Sequence, residues 1–206
     1  MAKPVFIAFE GIDGSGKSTQ AKLLREALDK SGQKVLLTAE PTNQTIGSLI
    51  RAAFSGRMEA DHRTIAGLFV ADRLDHILHS EYGMLPMQQN GYHIICDRYY
   101  FSSYAYQGVH MSMDWVIKAN ALSADLLRPD LNVFIDVSPE LAMERIHASR
   151  PDREMYETLD NLRKVRDQYF KAFDLLKETE TVVVINGDEE IEKIHSEVKK
   201  TILKYF

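Results

Sequence analysis

Five short apolar, β-branched runs punctuate the chain, at residues 5–10, 34–38, 93–97, 132–137 and 181–186. They read as strands buried on both faces. Longer segments with helical spacing lie between them. Residues 17–30 carry Ala21, Leu24, Ala27 and Leu28 on one face, the stripe expected of a helix packed on a sheet. Residues 63–85 form a long mixed helix, and 114–127, 139–147, 156–177 and 189–205 complete the set. Strands alternating with helices need crossover connections, which make neighbouring strands parallel. The expected fold is α/β, an open five-stranded parallel sheet with helices on both faces, in one domain over residues 1–206. One stretch departs from the pattern. Residues 145–157 are polar and arginine-rich, and Pro151 interrupts any continuous helix there,. A mobile segment is expected at that place.

Composition narrows the picture. A chain of 206 residues suits a single core, and 45% hydrophobic with 27% charged residues suits a soluble globular protein,. The formal net charge of −5 gives general nucleic-acid binding no electrostatic support,. Cys96 stands alone in an apolar run, so a buried, inert thiol is expected,. No basic segment leads into a long apolar stretch, and no apolar run approaches a membrane span,. A cytoplasmic location is the expectation, with no membrane and no nucleic acid among the partners.

The chemistry begins where the first apolar run ends. Gly11-Ile12-Asp13-Gly14-Ser15-Gly16-Lys17-Ser18, with Thr19 following, fits the pattern G-x-x-x-x-G-K-[ST] between a strand and an amphipathic helix,. Glycines let the backbone turn several N–H groups toward one anion, and the following helix adds its positive end. Lys17 can bridge the β- and γ-phosphates of a nucleoside triphosphate, and the Ser18 hydroxyl can ligate Mg²⁺. A switch GTPase would carry N-K-x-D, which is absent, and a D-x-x-G at a later strand end; the string Asp13-Gly-Ser-Gly lies inside the loop itself. Instead Asp97-Arg98-Tyr99 closes the third run. Strand carboxyl ends line the ligand crevice of such sheets. Asp97 can therefore order Mg²⁺ or its waters, and Arg98 can clamp an acceptor phosphate through two hydrogen bonds.

With these residues in view, the chain resembles the thymidylate kinases, within the P-loop nucleoside-monophosphate kinase group with its three-layer P-loop NTPase-type fold. The resemblance runs through "FEGIDGSGKSTQ", "EPT" at 40–42, "LFVADR" at 68–73, "DRYYFSSYAYQG" at 97–108, "DVSPELAMERI" at 136–146 and the arginine-rich segment about 145–157, which corresponds to a lid. It implies transfer of the γ-phosphate of ATP to dTMP with Mg²⁺, giving ADP and dTDP on the way to dTTP, by a homodimer paired through helices. It further implies that Phe69 stacks on the thymine ring and Arg73 bonds the base, with Ser103 at the base edge, Gln107 at the nucleoside, and Ser102 and Glu40 nearby. Tyr106 packs on the sugar and disfavours a 2′-hydroxyl. Arg51 and Arg98 hold the monophosphate, and Asp13 lies near the acceptor sugar and phosphate. Catalytic roles then fall to Lys17, Asp13, Asp97, Arg98 and the lid arginines Arg150 and Arg153, with Arg145 next in line. Ser18 and Asp97 are the metal candidates.

The chain also departs from its relatives. Many read R-E-P-G-G-T where this one has Ala39-Glu40-Pro41-Thr42-Asn43, and some place an arginine in the phosphate loop where this one has Gly14. The bridging cation is then expected from the lid. Two alternatives stay open at this point: a kinase of the same fold acting on dUMP, UMP or CMP, and a non-catalytic nucleotide-binding protein.

Overall fold

A computed structural model describes residues 3–149 and 156–205. Among these residues the strands β1 (Phe6–Glu10), β2 (Val35–Ala39), β3 (His93–Asp97), β4 (Leu131–Asp136) and β5 (Val182–Asn186) form one sheet in the order β2-β3-β1-β4-β5. Every pairing is parallel, with Ile7 opposite Ile95 on one side and Leu131 on the other. The P-loop-type α/β fold expected from the sequence is therefore present. The strand runs were placed within one residue at each end, because buried parallel strands leave continuous apolar runs.

The pleat divides the core. Phe6 and Ala8 of β1 point to one side, with Ile94, Cys96 and Phe134. Helices α5 (Tyr100–Tyr106), α6 (Met113–Leu126) and α8 (Leu159–Leu176) close that layer, supplying buried Phe101, Val116 and Tyr169. Ile7 and Phe9 point the other way with Ile95, Val133 and Ile135, and meet α1 (Lys17–Lys30) and α9 (Ile191–Ile202) through Ala21, Leu24, Ile194 and Val198. Burial on both faces holds for the inner strands only. In the edge strands β2 and β5 most positions are partly or fully exposed. Cys96 is buried as expected, and burial holds its thiol well above the usual range.

Several helices differ from expectation. The segment read as one helix over 63–85 is two, α3 (His62–Leu78) and α4 (Met84–Gln89). The break at Gly83 is packed so closely that a Cβ there would lie 2.4 Å from the His79 carbonyl oxygen. Helix α2 (Thr45–Phe54) was not foreseen. Its Ile50 and Ala53 join Ile65 and Phe69 of α3 in a small third cluster. Helix α5 was also missed, because all its residues are buried and no polar face marks it. Helix α7 (Pro139–Ser149) begins where expected, and α8 starts at Leu159, leaving Tyr156 outside it. No helix among the described residues is long and apolar enough to cross a membrane.

Candidate active site

The carboxyl ends of β1 and β3 lie side by side, with Phe9 opposite Asp97, and the loops leaving them build the site. After β1 the chain turns through Gly11, Gly14 and Gly16 at φ +152°, +78° and +88°. A Cβ at Gly11 would lie 2.6 Å from Ser15 Oγ and 2.8 Å from the Ile135 carbonyl oxygen. Only glycine fits so tight a turn. Lys17 opens α1 and is buried, with Nζ 3.9 Å from Asp13 Oδ1. Burial lowers its pKa, and the nearby Arg98 charge lowers it further. The loop faces a cavity of about 850 Å³, bounded also by Arg145, Glu157 and the start of α9. Arg145 donates to the Gly187 carbonyl, just past β5, at 3.0 Å.

After β3 the chain turns through Arg98, the only non-glycine residue with positive φ among those described, at +72°. Such a conformation costs about 1–3 kcal/mol and persists only where the surroundings impose it. Here the Arg98 N–H donates to Phe9 O at 2.9 Å, and its carbonyl accepts from Cys96 Sγ at 3.0 Å. The guanidinium donates to Asp13 Oδ1, Gly11 O (3.1 Å), Ser102 Oγ (3.0 Å) and the Tyr106 hydroxyl (3.2 Å). It also lies 4.9 Å from the centre of the Tyr106 ring, within cation–π range. The Tyr106 hydroxyl donates to Asp13 Oδ2 at 2.9 Å and accepts from the Asp13 N–H. Burial pushes the Asp13 carboxyl up, but Arg98 and Lys17 more than reverse this and hold it below the usual carboxylate range.

A second cavity, of about 220 Å³, opens on the other side of Asp13. Of the ten residues expected at an acceptor, it is lined by Asp13, Arg51, Phe69, Arg98, Ser102, Ser103, Tyr106 and Gln107. The amide oxygen of Gln107 is buried there with no hydrogen-bond partner among the described residues. A buried acceptor left open is costly unless a ligand donor meets it. Three further lining residues were missed, Pro41, Phe54 and Tyr156. Phe54 packs edge-on to Tyr156 with centroids 5.3 Å apart and lies 6.0 Å from Phe69. Phe54 sits on the unforeseen α2, and burial pushes the Tyr156 phenol up to about 12.

Glu40 and Arg73 do not line this cavity. They form a buried pair behind it, with Arg73 Nε and Nη2 at 2.8 and 2.6 Å from Glu40 Oε2. Arg73 also donates to Ser103 Oγ at 3.1 Å and to Asn120 Oδ1. It thus reaches the cavity through Ser103. His76 bonds the other Glu40 oxygen at 3.0 Å.

The departing segment 39–43 is held without its glycines. Asp72, buried, accepts from both the N–H (2.8 Å) and the hydroxyl (2.6 Å) of Thr42. Arg51 donates to the Pro41 and Thr42 carbonyls. Asp72 was not foreseen, although it stands beside Arg73 in the string that carried the resemblance.

Asp97 and Ser18 line a third cavity, on the flank of α1, and Asp97 Oδ1 is buried with no partner among the described residues. An acid and a hydroxyl residue bordering one space beside a phosphate loop suit a hard cation that keeps most of its waters,. No cluster of three or more His, Cys, Asp or Glu able to hold a metal by itself occurs among the described residues. The lid candidates Arg150 and Arg153 lie outside the described residues.

Comparison with known proteins agrees with this geometry. The family model for thymidylate kinase matches residues 9–198. A probable thymidylate kinase of Pyrococcus horikoshii is 38% identical over 199 residues, covering 94% of this chain and 93% of the relative. One from Methanocaldococcus jannaschii is 35% identical over 198 residues, 96% and 95% of the two chains. A thymidylate kinase of Leptospira borgpetersenii is 35% identical over 190 residues, 92% and 90%.

Proposed function

The chain belongs to the thymidylate kinase family, and on that premise we propose that it transfers the γ-phosphoryl group of ATP to dTMP, giving ADP and dTDP. The observation that carries this reading is that Asp13 lines both the donor and the acceptor cavity, with two cations on one of its oxygens. Lys17 approaches Oδ1 from the donor side and Arg98 from the acceptor side. Two anions brought to that point would meet a cation each.

In the reaction an oxygen of the dTMP phosphate attacks the γ-phosphorus, and the bond to the β–γ bridging oxygen breaks as ADP leaves. The nucleophile is already largely ionised at neutral pH, so no strong base is needed. Alignment and charge neutralisation do most of the work. The loop N–H groups and Lys17 hold the donor. Arg98 and Arg51 hold the acceptor phosphate, and Asp13 keeps Arg98 and Tyr106 in place between turnovers. Phe69 offers a face to the thymine ring, while Ser103 and Gln107 border the same cavity at its polar side. Tyr106 walls the sugar. Mg²⁺, held by Ser18 and through Asp97 or its waters, would supply positive charge to the donor phosphates. Arg150 or Arg153 supplies the remaining cation on lid closure.

We further propose a cytoplasmic homodimer. Gly67, Ala71 and Leu78 of α3, with Trp115 and Leu122 of α6, stand exposed although α3 and α6 pack together. Exposed apolar surface of this kind suits a partner helix pair.

The deciding experiment is ADP release measured with ATP and Mg²⁺ alone, then with dTMP, dUMP, UMP and CMP in turn. Release that depends on dTMP, with lower kcat/KM for the others, is expected. Preference for another acceptor would move the assignment within the fold, and acceptor-independent behaviour would remove the kinase reading.

A further inference from the structure

Glu10 is the last residue of β1 and directly precedes the phosphate loop, yet it lines neither the donor nor the acceptor cavity. It is fully buried, and its carboxylate receives three donors. The Tyr99 N–H reaches Oε1 at 2.9 Å, and the hydroxyls of Ser102 and Tyr169 reach Oε2 at 2.6 and 3.0 Å. All three lead to Arg98. Tyr99 N–H belongs to the peptide that follows Arg98, the residue forced to positive φ. Ser102 Oγ accepts from Arg98 Nη1 at 3.0 Å, and the Tyr169 hydroxyl accepts from the same nitrogen at 3.4 Å.

We infer that Glu10 is a positioning residue for Arg98, fixing both its backbone turn and the direction of its guanidinium toward the acceptor phosphate. The inference rests on the reading of Arg98 as a ligand of that phosphate. Its physical basis is polarity. An ionised carboxylate only accepts. It therefore draws hydroxyl hydrogens toward itself and leaves the oxygen lone pairs of Ser102 and Tyr169 facing Arg98. The isosteric amide cannot do both jobs. If its oxygen faces the hydroxyls, its NH₂ meets the Tyr99 N–H, donor against donor. If its NH₂ faces the hydroxyls, their hydrogens must go elsewhere, from Ser102 to Tyr169 at 2.8 Å and from Tyr169 to the Gly11 carbonyl at 3.4 Å, and the acceptors around Arg98 Nη1 are rearranged. Either orientation disturbs one of the two arms.

The test is dTMP affinity by calorimetry for the wild type, Glu10→Gln, Tyr169→Phe, Arg98→Ala and Glu10→Gln with Arg98→Ala. Affinity for a non-hydrolysable ATP analogue and thermal unfolding are measured alongside. Arg98→Ala is expected to weaken dTMP at least about tenfold, the scale of one lost charge-assisted hydrogen bond. Glu10→Gln is expected to weaken dTMP about tenfold while the ATP analogue stays within about twofold, and Tyr169→Phe to weaken it about threefold. Once Arg98 is gone, Glu10→Gln should cost little more, because residues acting through one another are not additive. Unchanged dTMP affinity in Arg98→Ala overturns the reading of Arg98, and this inference with it. Weakening there, with Glu10→Gln and Tyr169→Phe unaffected, overturns the inference alone. So does a Glu10→Gln protein that loses both nucleotides equally, which marks general damage. Should Glu10→Gln fail to fold, unchanged dTMP affinity in Tyr169→Phe overturns it.

Discussion

A side-chain carbon at Gly14 would lie 2.4 Å from the carbonyl oxygen of Ala142. The phosphate loop and α7 therefore meet backbone to backbone, and the φ of +78° at Gly14 adds a second bar to any larger residue. An arginine, which some relatives place at this position, has no room here. Gly14→Ala should lower stability by more than the ~1–2 kcal/mol of a left-handed residue, because α7 must also shift. ATP KM should rise as the loop deforms. A thermal unfolding curve and an ATP titration check both, and a Gly14→Ala protein with parental Tm and ATP KM would contradict the geometry.

Lys17→Ala should abolish transfer while leaving the fold intact. The ammonium is buried beside Arg98, and both burial and that like charge disfavour it, so its loss relieves repulsion in the protein without nucleotide. In the reaction it leaves the donor phosphates uncompensated, a loss of about 10²–10³ in kcat or more. Near-parental turnover by a folded Lys17→Ala protein would remove the phosphate-loop assignment.

What the sequence revealed and concealed follows from the range of each signal. The strands and the phosphate loop are local patterns, and both were legible. Glu40 and Arg73 were expected at the acceptor, whereas they pair behind the cavity wall. That arrangement depends on Asn120 of α6 and Ser103 of α5 meeting one guanidinium. Phe54 and Tyr156 look like any core aromatics in sequence, and only the packing of α2 against the residues just before α8 brings them to the acceptor cavity. Glu10 read as the polar end of a strand. Its three donors come from residues 99, 102 and 169, which no spacing rule connects. The break after Leu78 did leave a signal, in Gly83 and Pro86, but the apolar residues beyond it continue the helical spacing and masked it.

Thr42→Val should disturb the acceptor side selectively. The hydroxyl donates to the buried Asp72 at 2.6 Å, so its removal leaves a carboxylate oxygen short of a donor, a loss of about 1–3 kcal/mol. Thr42 also supplies a carbonyl to Arg51, so the guanidinium should lose its fixed direction. The expected result is a lower Tm with a raised dTMP KM and little change in ATP KM. A rise in ATP KM equal to that for dTMP would count against a role confined to Arg51.

Glu180 makes stability depend on pH in a direction that can be checked. It is buried, and burial raises its pKa despite hydrogen bonds from Tyr100, Arg128 and Asn132. A carboxyl with a raised folded pKa binds protons more tightly when folded, so its ionisation weakens the fold. The stability linked to this proton is fully present below the unfolded carboxylate pKa. It is lost as pH rises through the higher folded value. Glu180→Gln cannot ionise. Its Tm relative to the wild type should therefore climb as pH rises from the unfolded carboxylate pKa through the higher folded one,. A difference that is flat or falls over that range would contradict the assignment.

The arginines at 145, 150 and 153 are expected to play different parts. Arg145 lines the donor cavity and donates to the Gly187 carbonyl at 3.0 Å, so it braces the end of β5 against the ATP side. Arg145→Ala should raise ATP KM more than it lowers kcat. With Gly14 closed against any side chain, the proposed cation between donor and acceptor phosphates is assigned to Arg150 or Arg153, which flank Pro151, with Arg145 next in line. Charge that grows on the transferred group is matched only in the transition state. Arg153→Ala, or failing that Arg150→Ala, should therefore lower kcat by about 10²–10³ with little change in dTMP KM. Steady-state kinetics of the three single mutants and the Arg150/Arg153 double mutant separate the cases. If the double mutant keeps kcat within about threefold while Arg145→Ala loses it, the bridging charge belongs to Arg145, and its bond to Gly187 must break on closure.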